Sequence, residues 1–237
     1  RRVPGIALRK EVVVRVGPRA GGTGDQIAGR VRELDEGHVR THGEHVAIQT
    51  DLERGLSAAL EAVDPYKAVQ KYLPILSGHV FGLAIGKASI PMLTALAEAY
   101  PLSGALTISK HASSSTPNLF PVFVGGHPIP DSRSLEAGQR VLEFVSALHE
   151  EDTLVCLISG GGSALVTAPY DGITLEDMQT LTSLLLSCGA RINEINTIRR
   201  SLDRVKGGGL ARTTKAKIIS LILSDVIGNR LEAIASG

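Results

Sequence analysis

The chain has 237 residues, 43% hydrophobic and 21% charged, the balance of a globular core rather than of a disordered or fibrous chain. Lys and Arg number 25 against 24 Asp and Glu, and aromatics are only 3%, so the basic surplus and stacking residues of a nucleic-acid binder are missing. No apolar run approaches the roughly 20 residues of a membrane span, no signal peptide opens the chain, and Cys156 and Cys188 have neither metal nor redox spacing, which points to a reducing, cytoplasmic setting.

Residues 1–50 read as an N-terminal extension of unclear role. Val12–Val16 suggests a short strand, Gly17-Pro18 a turn and residues 25–36 a charged helical segment. His38, His42 and His45 lack a supporting Cys or carboxylate motif and read as surface histidines. From residue 51 the pattern sharpens. Leu52, Leu56, Leu60 and Val63 repeat at helical spacing, and Asp64-Pro65 opens a second helix to about Tyr72 as N-cap and first-turn proline. Strands follow at 79–85, 104–108, 121–124, 153–158 and 217–223, with helices at 88–99, 134–148 and 175–186. Strands that are apolar throughout belong to a parallel sheet covered on both faces. The expected fold is therefore α/β: a doubly wound, mostly parallel, Rossmann-like sheet with helices on both faces, occupying residues 51–237.

In such sheets ligands bind beyond the carboxyl ends of the strands. Glycine, at 26 residues, exceeds its usual share of roughly 7%, and many of the glycines fall at those ends. The strand ending at Ile85 runs into Gly86-Lys87-Ala88-Ser89, and the strand ending at Ile158 into Ser159-Gly160-Gly161-Gly162-Ser163. The short strand at 121–124 runs into Gly125-Gly126-His127-Pro128-Ile129-Pro130-Asp131, and the last strand into Ser224-Asp225. Three consecutive glycines let backbone N–H groups turn inward, and a helix starting just beyond adds its positive end, forming an anion-binding nest. Lys87 can reach a phosphate or carboxylate from its turn. It is not a P-loop lysine, because Phe81 and Ala88 stand where Walker A needs Gly and Ser or Thr. Asp225 suits a general base or a magnesium ligand. The basic stretch 198–209 either clamps an anion or forms a solvated helix face. A serine-hydrolase elbow fails at Leu165, and no G-x-G-x-x-G fingerprint joins a strand to a helix. The residues alone thus reach an enzyme handling a small, phosphorylated anion.

Six elements in order resemble the type II glycerate 2-kinase family, also known as hydroxypyruvate reductase or MOFRL-associated proteins: Gly86-Lys87-Ala88-Ser89; Gly126-His127-Pro128-Ile129-Pro130-Asp131; Ser159 to Leu165; Glu194-Ile195-Asn196-Thr197-Ile198-Arg199; Val205-Lys206-Gly207-Gly208-Gly209; and Ser224-Asp225-Val226 with Ala235-Ser236-Gly237. The resemblance spans about 52–237. It implies ATP- and Mg2+-dependent phosphoryl transfer to the 2-hydroxyl of D-glycerate, giving 2-phosphoglycerate. It makes Lys87 and Asp225 catalytic, with Asp225 also the metal ligand. Ser159, Gly160, Gly161, Gly162, Ser163, His127, Asp131, Asn196, Arg199 and Lys206 would bind substrate and phosphates. Asn229 and Ala84 depart from the family's usual Asp and Gly. The family continues into a C-terminal domain that this chain lacks, so the resemblance makes the chain one wall of a cleft, inactive alone. The partners implied are small molecules and that missing domain, with no nucleic acid and no membrane, and a homodimer is one assembly left open. The other readings are an NAD(P)-dependent hydroxypyruvate reductase and a non-catalytic anion- or nucleotide-binding paralogue.

Overall fold

The computed structural model describes residues 12–16, 42–111, 120–224 and 234. In chain order the elements are β1 (Val12–Val16), α1 (His42–Ala62), α2 (Pro65–Tyr72), β2 (Val80–Ile85), α3 (Ser89–Ala99), β3 (Leu102–Ser109), β4 (Val122–Val124), α4 (Ser132–Ser146), β5 (Thr153–Ser159), α5 (Gly162–Leu165), α6 (Leu175–Ser187), α7 (Ile192–Leu202), α8 (Gly209–Thr213) and β6 (Lys217–Leu223). The chain divides into two compact units, one of Arg1–Val16 with Pro65–Gly237 and one of Gly17–Asp64. The second unit contains α1, a helix that begins nine residues before the one expected from the leucine spacing and leaves Leu52, Leu56 and Leu60 exposed.

The first unit is built on a six-stranded sheet in the order β1-β6-β5-β2-β3-β4, every pairing parallel. β1 lies in the part of the chain expected to be an extension of unclear role, and it pairs with β6 from Val12↔Ile219 to Val16↔Leu223. Alternate residues of the apolar strands feed two separate cores. On one face Leu83, Ile85, Ile108, Leu154 and Cys156 pack with Ala137, Val141 and Val145 of α4. On the other, Ala84, Ala105, Val155, Leu157 and Leu221 pack with Val69 of α2 and Met92, Leu93 and Leu96 of α3. Each fully buried leucine or methionine contributes about 2–3 kcal/mol, so both faces must be covered and the doubly wound arrangement follows.

Local sequence sets the helix starts. Asp131 and Ser134 form a capping box on α4, and Thr174 and Asp177 form another on α6. α7 was visible from sequence only as a basic stretch and through the family resemblance. Its apolar positions are few, and Ile195 is its buried hydrophobic residue among those described.

The strand order places the topological switch point between β2 and β5, because the chain leaves β2 toward β3 and β4 and then returns to its other side for β5 and β6. The crevice that such a switch opens lies beyond the carboxyl ends of those two strands. There Gly86 has φ +126, and a Cβ on it would stand 2.3 Å from Ser159 Oγ and 2.5 Å from the Ser159 carbonyl oxygen. Gly86→Ala is therefore expected to destabilise the fold by about 3 kcal/mol or more, from strained backbone and overpacking together. Gly189→Ala, at φ +74 with open space around it, is expected to cost only about 1 kcal/mol. Urea denaturation of the two variants beside the parent checks this, and equal losses would refute the steric role of position 86.

Candidate active site at the switch point

Two loops meet in the crevice. The Gly86 amide donates to the Ile108 carbonyl at 3.0 Å, the Lys87 amide to the Gly160 carbonyl at 2.9 Å, and the Ala88 amide to Ser159 Oγ at 3.0 Å. Lysine loop and glycine loop are thus tied backbone to backbone. Gly161 sits at φ +90, and its missing side chain leaves room that Lys87 and His127 use. Lys87 Cγ and Cε come within 3.4 Å, and His127 Cδ2 within 3.5 Å, of where a Cβ would be. The helix expected beyond the glycines is α5, a single turn of four residues. The nest therefore rests on loop backbone, and the helix-dipole contribution expected from sequence falls away, because one turn aligns too few peptide units. Ser159 is buried with its hydroxyl accepting from the lysine loop, and Ser163 is half-buried in α5.

The His127 loop follows β4. The Gly125 amide donates to the Ser109 carbonyl at 3.1 Å, and the Gly126 amide to Ser134 Oγ at 2.9 Å and Asp131 Oδ1 at 3.1 Å. Asp131 was expected to bind substrate; in the structure its carboxylate is engaged within the protein. Its carboxylate accepts from the Ser134 amide at 3.0 Å and from Arg133 at 2.6 and 2.8 Å. Its lone pairs cap α4 and shape the loop. Burial pushes the Asp131 carboxyl up, but Arg133 and the Ser134 amide outweigh it and hold the group below the usual carboxylate range. Gln179 of α6 donates to the Pro130 carbonyl at 2.8 Å and fixes the loop from the other side.

α7 supplies Asn196 and Arg199, both buried and three residues apart, so on one helix face. Among the described residues Arg199 makes a hydrogen bond of 3.3 Å to Thr182 Oγ1, whose own hydroxyl donates to the Met178 carbonyl at 2.7 Å. Burial lowers the guanidinium's pKa and the Asp203 charge opposes it. An arginine stays protonated throughout the physiological range, so a buried positive charge faces this region.

Lys206 is likewise engaged within the protein. Expected as a ligand-facing cation, it is 3% exposed and donates to Asp203 Oδ2 and to the Val166 carbonyl, both at 2.6 Å. Asp203 is fully buried and also accepts from Thr167 Oγ1 at 2.7 Å, Val205 N at 3.0 Å and Ala168 N at 3.2 Å. Arg204 N bonds the Ala168 carbonyl at 2.8 Å, and Tyr170 N the Leu202 carbonyl at 3.1 Å. Residues 166–170, just after the glycine loop and α5, are thereby strapped to residues 202–206, just after α7. Burial lowers the pKa of Lys206 and Asp203 opposes this. Two of the ammonium's three donors are spent inside the protein.

Sequence reasoning did not single out Lys110, Thr182 or Asp203. Lys110 stands two residues past Ile108, at the end of a buried apolar strand, and that position was the available signal. His127 is half-buried, and burial followed by the charges of Lys87, Lys110 and Arg199 holds its imidazole below the ordinary value of 6.5. Lys87, Lys110 and Arg199, from three separate chain segments, thus all bring positive charge to bear on the His127 imidazole. Asp225 and Asn229, like the histidine at 38, lie outside the described residues. Among the described residues no group of three or more His, Cys, Asp or Glu could hold a metal ion, and no helix is long and apolar enough to cross a membrane.

A doubly wound parallel sheet with a lysine loop and a glycine loop tied together at its switch point defines the class as an α/β domain with its candidate site beyond the carboxyl ends of β2 and β5. Residues 51–237 match the family model described as "Domain of unknown function (DUF4147)". The chain is 44% identical over 187 residues to D-glycerate 2-kinase of Thermotoga maritima, covering 76% of this chain and 44% of that protein. It is 39% identical over 197 residues to glycerate 2-kinase of Pyrococcus horikoshii, covering 78% and 45%. The crystal structure of Thermotoga maritima glycerate kinase superposes with a TM-score of 0.71 at 44% identity, over 76% of this chain and 45% of that one. The chain belongs to this family, that of the glycerate kinases. It spans less than half the length of these two relatives.

Two outcomes are expected. Asp203→Ala leaves the Lys206 ammonium buried without its counter-charge and should cost about 3–5 kcal/mol, read by chemical denaturation; a loss under 1 kcal/mol would refute the strap. His127 should titrate below 6.5 by NMR. Because the folded pKa is depressed, the unfolded chain protonates first, so this group's contribution to stability is full above 6.5 and declines as pH falls below it. Inorganic phosphate bound in the crevice should raise that pKa by offsetting the cations, and an unmoved titration would place the anion elsewhere.

Proposed function

We propose that this chain forms the N-terminal part of a glycerate 2-kinase that transfers the terminal phosphoryl group of ATP to the 2-hydroxyl of D-glycerate, giving 2-phosphoglycerate. The observation that carries the reading is the convergence of Lys87, Arg199 and the glycine loop on the sheet's switch point, in a chain whose relatives bear glycerate kinase names. Phosphoryl transfer asks a protein chiefly for positioning and for charge placed where charge develops. The tie between Lys87 N and the Gly160 carbonyl holds a mobile lysine's base still, so that its ammonium stands over the glycine backbone. In the step itself the 2-hydroxyl oxygen bonds the terminal phosphorus as the bridging P–O bond breaks, and ADP carries that electron pair away. Lys87 and Arg199 stabilise the charge on the transferring group. His127, held neutral, hydrogen-bonds an oxyanion without adding charge. Asn196 and Ser163 complete the acid's contacts.

Asp225, which follows β6 by two residues, is the base we assign to the 2-hydroxyl proton. Among the described residues no group of three or more His, Cys, Asp or Glu could hold a magnesium ion, so no step is routed through one; Asp225 is the ligand we assign to it. The shortness of the chain beside its relatives supports a second, C-terminal domain closing the cleft.

An ADP-release assay on the full-length protein with D-glycerate tests the assignment. Lys87→Ala is expected to lower kcat by on the order of a hundredfold or more while the fold is retained. Near-parental rates would reject Lys87's role, and turnover of a different hydroxy acid in place of D-glycerate would reject the substrate.

A further inference from the structure

We propose that Lys110 is a phosphate-binding residue, and that with Lys87 it takes the phosphate chain of the donor nucleotide rather than the carboxylate of the acid. The inference rests on the kinase reading for the nature of the ligand, and on the sheet for the position. In the parallel register Ile85 of β2 stands opposite Ile108 of β3. Lys87 and Lys110 are each two residues beyond that pair, so the two lysines leave neighbouring strands, about 4.8 Å apart, at the same level of the sheet. Backbone bonds hold both exits. Gly86 N donates to the Ile108 carbonyl, and Gly125 N to the Ser109 carbonyl, so residue 110 emerges between the lysine loop and the His127 loop.

Lys110 is half-buried and, like Lys87, forms no ion pair among the described residues. Its charge acts on the His127 imidazole together with those of Lys87 and Arg199. Asp203, the carboxylate nearest in charge to Arg199, is already bound to Lys206. Of the three cations acting on His127, Lys87 and Lys110 have no carboxylate paired with them among the described residues, while Arg199 shares the Asp203 charge with Lys206. A monocarboxylate neutralises one of them. A nucleoside triphosphate carries several negative charges along a chain, and two lysines side by side at one sheet edge suit successive phosphates, each a point charge on a flexible stem.

The test titrates tripolyphosphate and, separately, D-glycerate into this chain by calorimetry, for the parent, Lys110→Gln and Lys110→Arg, with the His127 titration followed by NMR. Lys110→Gln is expected to weaken tripolyphosphate on the order of tenfold or more, to leave D-glycerate unchanged and to raise the His127 pKa; Lys110→Arg should restore most of the tripolyphosphate affinity. The proposal is overturned if the parent binds no tripolyphosphate, if Lys110→Gln binds it as the parent does or weakens D-glycerate instead, or if the His127 titration does not move. The kinase reading fails separately: a full-length protein that binds tripolyphosphate through Lys110 yet never phosphorylates D-glycerate loses that function and keeps this site.

Discussion

The close approach of the ends of β2 and β5 governs this molecule, because it brings the lysine loop and the glycine loop to within one hydrogen bond of each other. Gly86 makes it possible: the space that any side chain would need is filled by the Ser159 hydroxyl and carbonyl. The amides of residues 86–88 then find partners on Ile108, Gly160 and Ser159, so the N–H groups of the turn are met. Close packing here has a functional side. Lys87 is an exposed, flexible side chain, and its placement depends on how firmly its backbone is held.

A second constraint works from beneath. The Asp203–Lys206 pair is an expensive thing to bury, and isolated charges in such surroundings would cost several kcal/mol each. It is tolerated because nearly every lone pair and proton is used, by Thr167, Ala168, Val205 and the Val166 carbonyl. What results is a fixed relation between the segment after the glycine loop and the segment after α7, which carries Arg199. The charges that act on His127 come from two strand ends and a helix, and the strap ties the helix that carries Arg199 to the segment that follows the glycine loop. Lys206 and Asp131, both assigned to ligand by sequence, share one lesson: a charged residue in a motif can serve by holding the loops that carry the ligand contacts.

Much of the architecture was readable before any coordinates, and the reasons are local. Short, mostly apolar runs at 79–85, 153–158 and 217–223, bounded by turn residues, read as strands covered on both faces, since alternating runs would have left one face wet. Asp131 and Thr174 announce helix starts through side chains that reach only three residues ahead. Glycine at the ends of apolar strands marked the side of the sheet where ligand belongs. α7 escaped because its polar face outweighs its buried one, and the start of α1 escaped because the leucine spacing begins only at residue 52.

The pairing order, by contrast, is written in no single segment. That β5 returns to the open side of β2, which makes the switch point, depends on which strands bury most surface against one another once the helices have covered both faces. For the same reason the sequence did not place Lys110 beside Lys87: that level follows from the parallel register of β2 and β3, and register exists only between strands. Periodicity and particular residues determined the layers, the helix caps and the sheet edge that carries the candidate site. Tertiary structure decided which charges face that edge and which are spent inside, because whether a lysine meets ligand or a buried aspartate depends on the partners that distant segments bring to it.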